Sequence, residues 1–300
     1  MRSTTELDGW LATLRARTDA ALAAFGAEAR RRWPGGVGDA ITYALAGEGK
    51  RLRPALLWAG YEASSGAGDP AVLAAAIETV HTYSLVHDDL PCMDDDAMRR
   101  GRPTLHLAFS VPVAVEAGFR MVELAAWGVG QAAGTLGLPA ARTATLTETL
   151  FRGAGVAGMI GGQVLDLEAE SRTLGLDALT AVHRAKTGAL LTASVLMGGL
   201  AAGAASGTLK ALEAYGSAVG LAFQIVDDVL DATATSAQLG KTAGKDRRQG
   251  KSTYVALLGL DGARSEAERL VAEAADHLSR EDLDGERLAA LAGRVLARSS

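Results

Sequence analysis

Asp88-Asp89-Leu90-Pro91-Cys92-Met93-Asp94-Asp95-Asp96, with Arg99-Arg100-Gly101-Arg102-Pro103-Thr104 close behind, is the stretch on which the reading of this chain turns. Five acids in nine residues repel one another, and the three arginines that follow do not remove that repulsion locally. Carboxylate oxygens at this density suit hard cations such as Mg²⁺. A solvated acidic turn is the plainer alternative. Far downstream, Phe223-Gln224-Ile225-Val226-Asp227-Asp228-Val229-Leu230-Asp231 sets a second acidic group in an apolar run. Asp227 and Asp231 are four residues apart and share one face of a helix. Acids on a buried helix are costly unless a cation or a donor meets them. Two such groups predict two helices that present carboxylates to Mg²⁺.

The bases around these groups follow a pattern. The chain has only six lysines against 24 arginines, and Lys50, Lys186, Lys241, Lys245 and Lys251 adjoin glycine or threonine. Compact point charges in such places suit phosphate groups. Gly47-Glu48-Gly49-Lys50-Arg51-Leu52-Arg53-Pro54 places three bases around a glycine turn, with Pro54 expected at the first position of the next helix. His81 lies on the helix that runs into the first acidic group, where a substrate contact competes with simple core packing. Pro91 is expected to end that helix just after Asp89. On an unbroken helix Asp88 and Asp94 would point roughly 120° apart, so a bulge through Pro91-Cys92-Met93 is needed to bring both to one ion.

The rest of the chain reads as helix. Apolar residues recur at helical spacing over residues 7–32, through Ile41 and Leu45, and over 54–64, 70–88, 113–133, 140–170, 177–203, 207–232 and 262–298, and no strand pattern is evident. Gly161-Gly162 could allow close helix contact, and Gln163 and Asp166 share a face beside it. Lys186-Thr187-Gly188 sits mid-helix in apolar surroundings, where the lysine must meet an anion or reach water. No linker divides the chain, which predicts a single all-helical domain over 1–300.

With 48% hydrophobic and 22% charged residues the chain is globular. A net charge of −5 without a basic stripe argues against nucleic acid. Cys92 is the one cysteine, which excludes a disulfide framework and fits a reducing cytoplasm. No signal peptide is expected. The uncharged run from Gly188 to Leu209 is long enough to raise a membrane span, but its small residues favour a buried helix and a turn.

In its ordered motifs the chain resembles the short-chain trans-polyprenyl diphosphate synthases, most of all the bacterial farnesyl diphosphate synthases. The resemblance covers residues 37–290. It rests on Gly49 to Pro54, the first acidic stretch with Arg99 and Arg100, Gly161-Gly162-Gln163, Lys186-Thr187-Gly188, Phe223-Gln224 with Asp227 to Asp231, and Gly250-Lys251-Ser252-Thr253-Tyr254. It implies an all-α bundle of about ten core helices around a deep cavity, usually a homodimer. It implies three Mg²⁺ held by Asp88, Asp94 and Asp227, with Asp89, Asp228 and Asp231 as secondary ligands or support behind them. Arg99, Lys186 and Lys241 would neutralise the allylic diphosphate, with Thr187 and Gln224 facing the allylic carbon. Lys50, Arg53, His81 and Arg100 would hold the diphosphate of isopentenyl diphosphate. Tyr83 and Ser84, about one helical turn before Asp88, would floor the cavity and stop growth at fifteen carbons.

One departure stands out against the family pattern. Ala117-Gly118-Phe119-Arg120 replaces the usual Ala-Gly-Asp-Ala. This puts product length, fifteen or twenty carbons, in question. A terpene cyclase on the same scaffold would not need Lys50, Arg53 and Arg100, and a non-catalytic partner subunit would not need both acidic groups.

Overall fold

The computed structural model describes residues 4–169, 172–233, 252–279 and 283–297, and its elements are almost all helices. These residues form two compact units. The first lies within Ser3–Trp58 and Ala67–Thr147, and the second within Ala59–Gly66 and Glu148–Ser300.

In the first unit, α1 (Thr4–Arg32) buries Leu14, Leu22, Phe25 and Ala29, one stripe of a 3.6-residue period. Trp33-Pro34-Gly35 turns the chain into α2 (Gly36–Leu45), and Gly35 supplies the positive φ of 91°. Next come α3 (Leu52–Ala63), which the second unit shares, and α4 (Ala71–Asp88). Leu73, Ala74, Ala75, Ala76, Ile77 and Val80 on α4 are fully buried, because α1 packs on this helix as well as α6 (Val111–Thr135). Apolar residues all round a helix mark such a central position. Between α4 and α6 lie a short helix, α5 (Leu105–Ala108), and a two-stranded ribbon that periodicity did not reveal. In it β1 (Met98–Arg99) pairs antiparallel with β2 (Arg102–Pro103). Its turn is Arg100-Gly101, both at positive φ, the two-residue geometry whose twist matches paired strands. Each strand has only two residues, too few for alternation to show.

The second unit contains α8 (Met159–Ala169), α9 (Leu176–His183), α10 (Ala189–Ala202), α11 (Ser206–Thr233), α12 (Tyr254–Ser279) and α13 (Glu286–Leu296). The helix expected over 140–170 is two. α7 (Ala140–Ala154) ends before Gly155, and a turn through Gly158 precedes α8; two glycines in four residues cost a helix more than its apolar positions return. The final segment is helices, as expected, but α12 starts earlier than predicted, at Tyr254, with a break at Gly259 (φ 72°). Arg184–Gly188 joins α9 to α10 as a π-helical turn, an insertion often found at functional sites. Leu176–Ala202 is long and apolar enough to cross a membrane, but 56% of its most apolar window is buried.

Candidate active site

In the first unit the acidic stretch begins where α4 ends. Asp88 is its last residue and Asp89 caps it. The loop then folds back, with the Asp94 N–H donating to the Asp88 carbonyl at 2.9 Å and the Met93 N–H to Leu90 at 2.8 Å. Pro91 thus does what its chemistry demands, and the chain returns Asp94 to Asp88 within six residues. Asp89 points elsewhere. It is 3% exposed, and its carboxylate meets the Arg99 guanidinium, with Nε 2.7 and 2.8 Å from its two oxygens and Nη2 at 2.6 Å. Burial pushes the Asp89 carboxyl up and Arg99 pulls it back. The Arg102 guanidinium lies 3.7 Å over the Tyr43 ring, and Tyr43 Oη donates to Pro103 at 2.9 Å, which fastens the ribbon carrying Arg99 and Arg100.

Only part of the basic turn faces outward. Arg51 (φ 51°) is 5% exposed and turned inward, with Nη1 3.0 Å from Glu78 and Nε 2.7 Å from Asp19. The turn therefore does not offer three bases to an anion, as its sequence suggested. Because Arg51 adopts a left-handed backbone, α3 starts at Leu52 and Pro54 falls in its first turn rather than at its first position. Lys50 is exposed and Arg53 half-buried. Gly49 has no side chain where the Arg100 guanidinium passes, since a Cβ there would lie 2.8 Å from Arg100 Nη1. Arg53, Arg100, Arg99 and Arg51 all act on His81. Burial first, then these four charges, holds the His81 imidazole well below its ordinary range. It is therefore a neutral member of a cationic cluster, able to donate a hydrogen bond but adding no charge.

A pH dependence follows. Below about pH 6.5 the unfolded chain protonates at position 81 and the folded protein does not. The folded state then loses stability as pH falls. We expect His81→Asn to flatten the fall in unfolding free energy between about pH 6.5 and 5, measured by urea titration. An unchanged slope would show that His81 does not carry this linkage.

Tyr83 is buried on α4, its ring edge-on to His87 at 5.2 Å. The Ser84 hydroxyl is tied to the His81 carbonyl at 2.8 Å. His87 packs where a Cβ on Gly118 would collide, and Phe119, 63% exposed, stands edge-on to it at 5.6 Å. Arg120 joins Glu116 (2.8 Å) and Glu123 (3.2 Å) on the surface of α6.

The second unit gathers the other predicted residues. Gly162 on α8 lies against the backbone of Ala185 and Lys186, closer than any Cβ would allow. Gly220 on α11 meets Gly188 in the same way, with a Cβ only 2.8 Å from Gly188 Cα. The π turn is thus held backbone to backbone on two sides. Within it Lys186 Nζ donates to Asp166 at 2.6 Å, so the acid flagged on α8 is the lysine's partner. The Thr187 hydroxyl donates to Gln224 Oε1 at 3.0 Å. Gln224 Nε2 lies 3.4 Å from Asp228 Oδ1, and Asp228 Oδ2 accepts the Tyr254 N–H at 2.8 Å. Asp227 is half-buried, whereas Asp228 and Asp231 are buried. Lys241 lies outside the described residues.

Sequence reasoning missed Glu78 and His183, and took Tyr254 only as the end of the Gly250–Tyr254 motif. Glu78 had one signal, a lone acid in the apolar run Ala75-Ala76-Ile77-Glu78-Thr79-Val80. His183 had none, and nothing tied it to Tyr254, because the two meet only through the fold.

Among the described residues no three His, Cys, Asp or Glu side chains converge into a metal cage. The donor set still fits Mg²⁺, which takes one or two carboxylates and fills its remaining positions with water and substrate phosphate. Asp88 and Asp94, returned to each other by the folded loop, offer that kind of donor.

The polyprenyl synthetase family model matches residues 36–289. The chain is 44% identical over 256 residues to a farnesyl diphosphate synthase of Escherichia coli (strain K12), covering 84% of this chain and 85% of that one. It is 41% identical to a chloroplastic geranylgeranyl pyrophosphate synthase of Catharanthus roseus, covering 87% of this chain and 72% of the other. Among solved structures, a geranyltransferase of Legionella pneumophila superposes with a TM-score of 0.84 at 31% identity, covering 99% of both chains. The all-α fold, the ordered motifs and these likenesses agree: the chain belongs to the polyprenyl synthetase family.

Proposed function

We propose that this protein is a Mg²⁺-dependent prenyltransferase that joins isopentenyl diphosphate head-to-tail to dimethylallyl and geranyl diphosphates, making farnesyl diphosphate. One observation carries the reading. The two units present different anion-binding chemistries, as an enzyme with two diphosphate substrates requires. The first unit has Lys50, Arg53, Arg100 and neutral His81, suited to isopentenyl diphosphate. The second has Lys186 with Thr187 and Gln224 beside it, suited to an allylic diphosphate and its reacting carbon; Arg99, in the first unit, and Lys241 are further bases that the family resemblance assigns to the allylic diphosphate. Asp88, Asp94 and Asp227 are assigned as ligands of three Mg²⁺, with Asp89, Asp228 and Asp231 supporting them. When bound, these ions supply the positive charge that lets diphosphate leave.

The chain's own residues do the rest. Lys186 meets charge that grows on the departing diphosphate oxygens, and being prepositioned by its bond to Asp166 it needs little reorganisation. As the C–O bond breaks, its electron pair leaves with the diphosphate and an allylic cation remains. The isopentenyl double bond, positioned through its own diphosphate, attacks that carbon, and a proton is lost to the departing diphosphate. Apolar walls exclude water from the cation. Residues 1–300 are read as one polyprenyl synthase domain, since the family match runs through both compact units. A cytoplasmic homodimer suits the free Cys92 and the exposed Val111 and Phe119 of α6.

Incubation with Mg²⁺, isopentenyl diphosphate and separately dimethylallyl, geranyl or farnesyl diphosphate tests the reading. Fifteen-carbon products, with farnesyl diphosphate left unextended, are expected. A hydrocarbon released from one diphosphate alone would favour a cyclase instead. Geranylgeranyl diphosphate is the second reading, favoured by Phe119, which touches the His87 ring that in turn contacts Tyr83. Tyr83→Ala is expected to make twenty carbons the main product by mass after dephosphorylation. A variant that still stops at fifteen would remove Tyr83 as the floor.

A further inference from the structure

Asp228 is a poor candidate to face a cation. It is 4% exposed, and protein groups surround both of its oxygens. Oδ2 accepts the Tyr254 N–H, the first of α12, at 2.8 Å. His183 Nε2 lies 3.5 Å from the same oxygen without a hydrogen bond to it. The His183 ring stacks on Tyr254 at 5.7 Å and 21°, and Tyr254 Oη meets Thr180 Oγ1 at 2.5 Å. Residues from α9, α11 and α12 thus enclose this carboxylate. Its other oxygen faces Gln224 Nε2.

An ionised carboxylate accepts hydrogen bonds and cannot donate them. The end of the Gln224 amide that faces Asp228 must therefore be the NH₂, and its oxygen is left toward Thr187. Thr187 has to donate its proton to that oxygen, as it does at 3.0 Å. The hydroxyl proton is spent inside the protein, and the Thr187 oxygen keeps its lone pairs. Beside a forming carbocation this polarity matters, because oxygen lone pairs stabilise positive charge and an O–H or N–H proton opposes it.

We propose that Asp228 is a positioning residue, held by the Tyr254 N–H, that fixes the Gln224 amide with its oxygen toward Thr187 and is not a metal ligand. This rests on the reading that Thr187 and Gln224 face the allylic carbon. Asp228→Asn keeps the shape but can donate, so the Gln224 amide is free to turn over and present its NH₂ to Thr187. The double variant D228N/Q224E reverses the pair at unchanged charge. The asparagine now donates to one glutamate oxygen, and the other still accepts from Thr187.

The test measures kcat and KM for geranyl diphosphate with saturating isopentenyl diphosphate. It also measures Mn²⁺ binding by EPR in the presence of inorganic diphosphate. D228N should lower kcat about 100-fold, the scale for a misdirected transition-state dipole. KM should move less than about threefold, and Mn²⁺ binding should match the wild type. D228N/Q224E should recover at least about tenfold of kcat over either single variant, a coupling that a merely structural role would not produce. Weakened Mn²⁺ binding in D228N, an unchanged kcat, or a double variant no better than Q224E would overturn the proposal. If D228N does not fold, comparing Q224E with the double variant still decides it. Thr187→Val separates the two layers. Impaired T187V with normal D228N overturns this inference alone, and normal T187V overturns the site reading beneath it.

Discussion

Asp88→Asn is expected to lower kcat/KM by about 10³-fold, the upper end of what one electrostatic contributor supplies at a reacting centre. Asp88 ends α4, where the helix dipole is negative and disfavours a carboxylate. Four further acids follow within eight residues. Its field reaches Tyr83, whose phenol is raised first by burial and then by Asp88. Asp88→Asn removes one of these charges and keeps the shape of the side chain. Loss of activity without a fall in melting temperature then reports on metal and diphosphate alone. Initial rates across a Mg²⁺ series, paired with thermal melts, check this. Activity within fivefold of wild type would remove Asp88 from the ligand set.

Glu78→Ala is expected to cost about 3 kcal/mol of stability, the low end for removing one partner of a buried ion pair. Glu78 is 2% exposed and Arg51 5%, and they meet at 3.0 Å deep in the first unit. Truncating Glu78 leaves the guanidinium buried with only Asp19, itself part-exposed, to answer it. Two charges of opposite sign can be replaced together far more cheaply than one alone, so R51M/E78L should be less destabilised than E78A. The pair also shapes the site. Arg51 Nη2 donates to the Gly47 carbonyl at 3.0 Å, and the turn it holds carries Lys50 and leads into Arg53. E78A should therefore also raise KM for isopentenyl diphosphate more than KM for geranyl diphosphate. Urea unfolding and steady-state kinetics check both parts, and a stability loss under about 1 kcal/mol would show the pair is dispensable.

What could be read from the sequence was what depends on spacing. α1, with a clear apolar stripe, and α4, apolar all round, lay where the sequence pattern put them, and Pro91 announced the fold-back that returns Asp94 to Asp88. What depends on backbone geometry was hidden. Nothing in Lys50-Arg51-Leu52-Arg53 says which arginine turns inward, because the answer lies in a left-handed Arg51 that few residues adopt. The π turn at Arg184–Gly188 shifts a hydrogen-bond register without changing composition, so the run reads as one smooth helix. The Asp89–Arg99 fork spans ten residues and the Tyr254–Asp228 bond 26, beyond any helical repeat. Only the family resemblance set Asp89 and Asp228 behind their neighbours, and each is buried in the protein.

The backbone-on-backbone contacts of Gly162 with Lys186 and of Gly220 with Gly188 bear on how this protein can evolve. No side chain stands between those segments, so no gradual exchange of larger for smaller residues can shift Lys186 and Thr187. Position 83 is different, because a tyrosine side chain fills its space and many residues could take its place. With Tyr83 as the proposed floor, natural variation or laboratory selection should thus find product length easy to alter one substitution at a time. The segment bearing Lys186 and Thr187 should remain nearly fixed across the same lineages, since its first step of change is a collision.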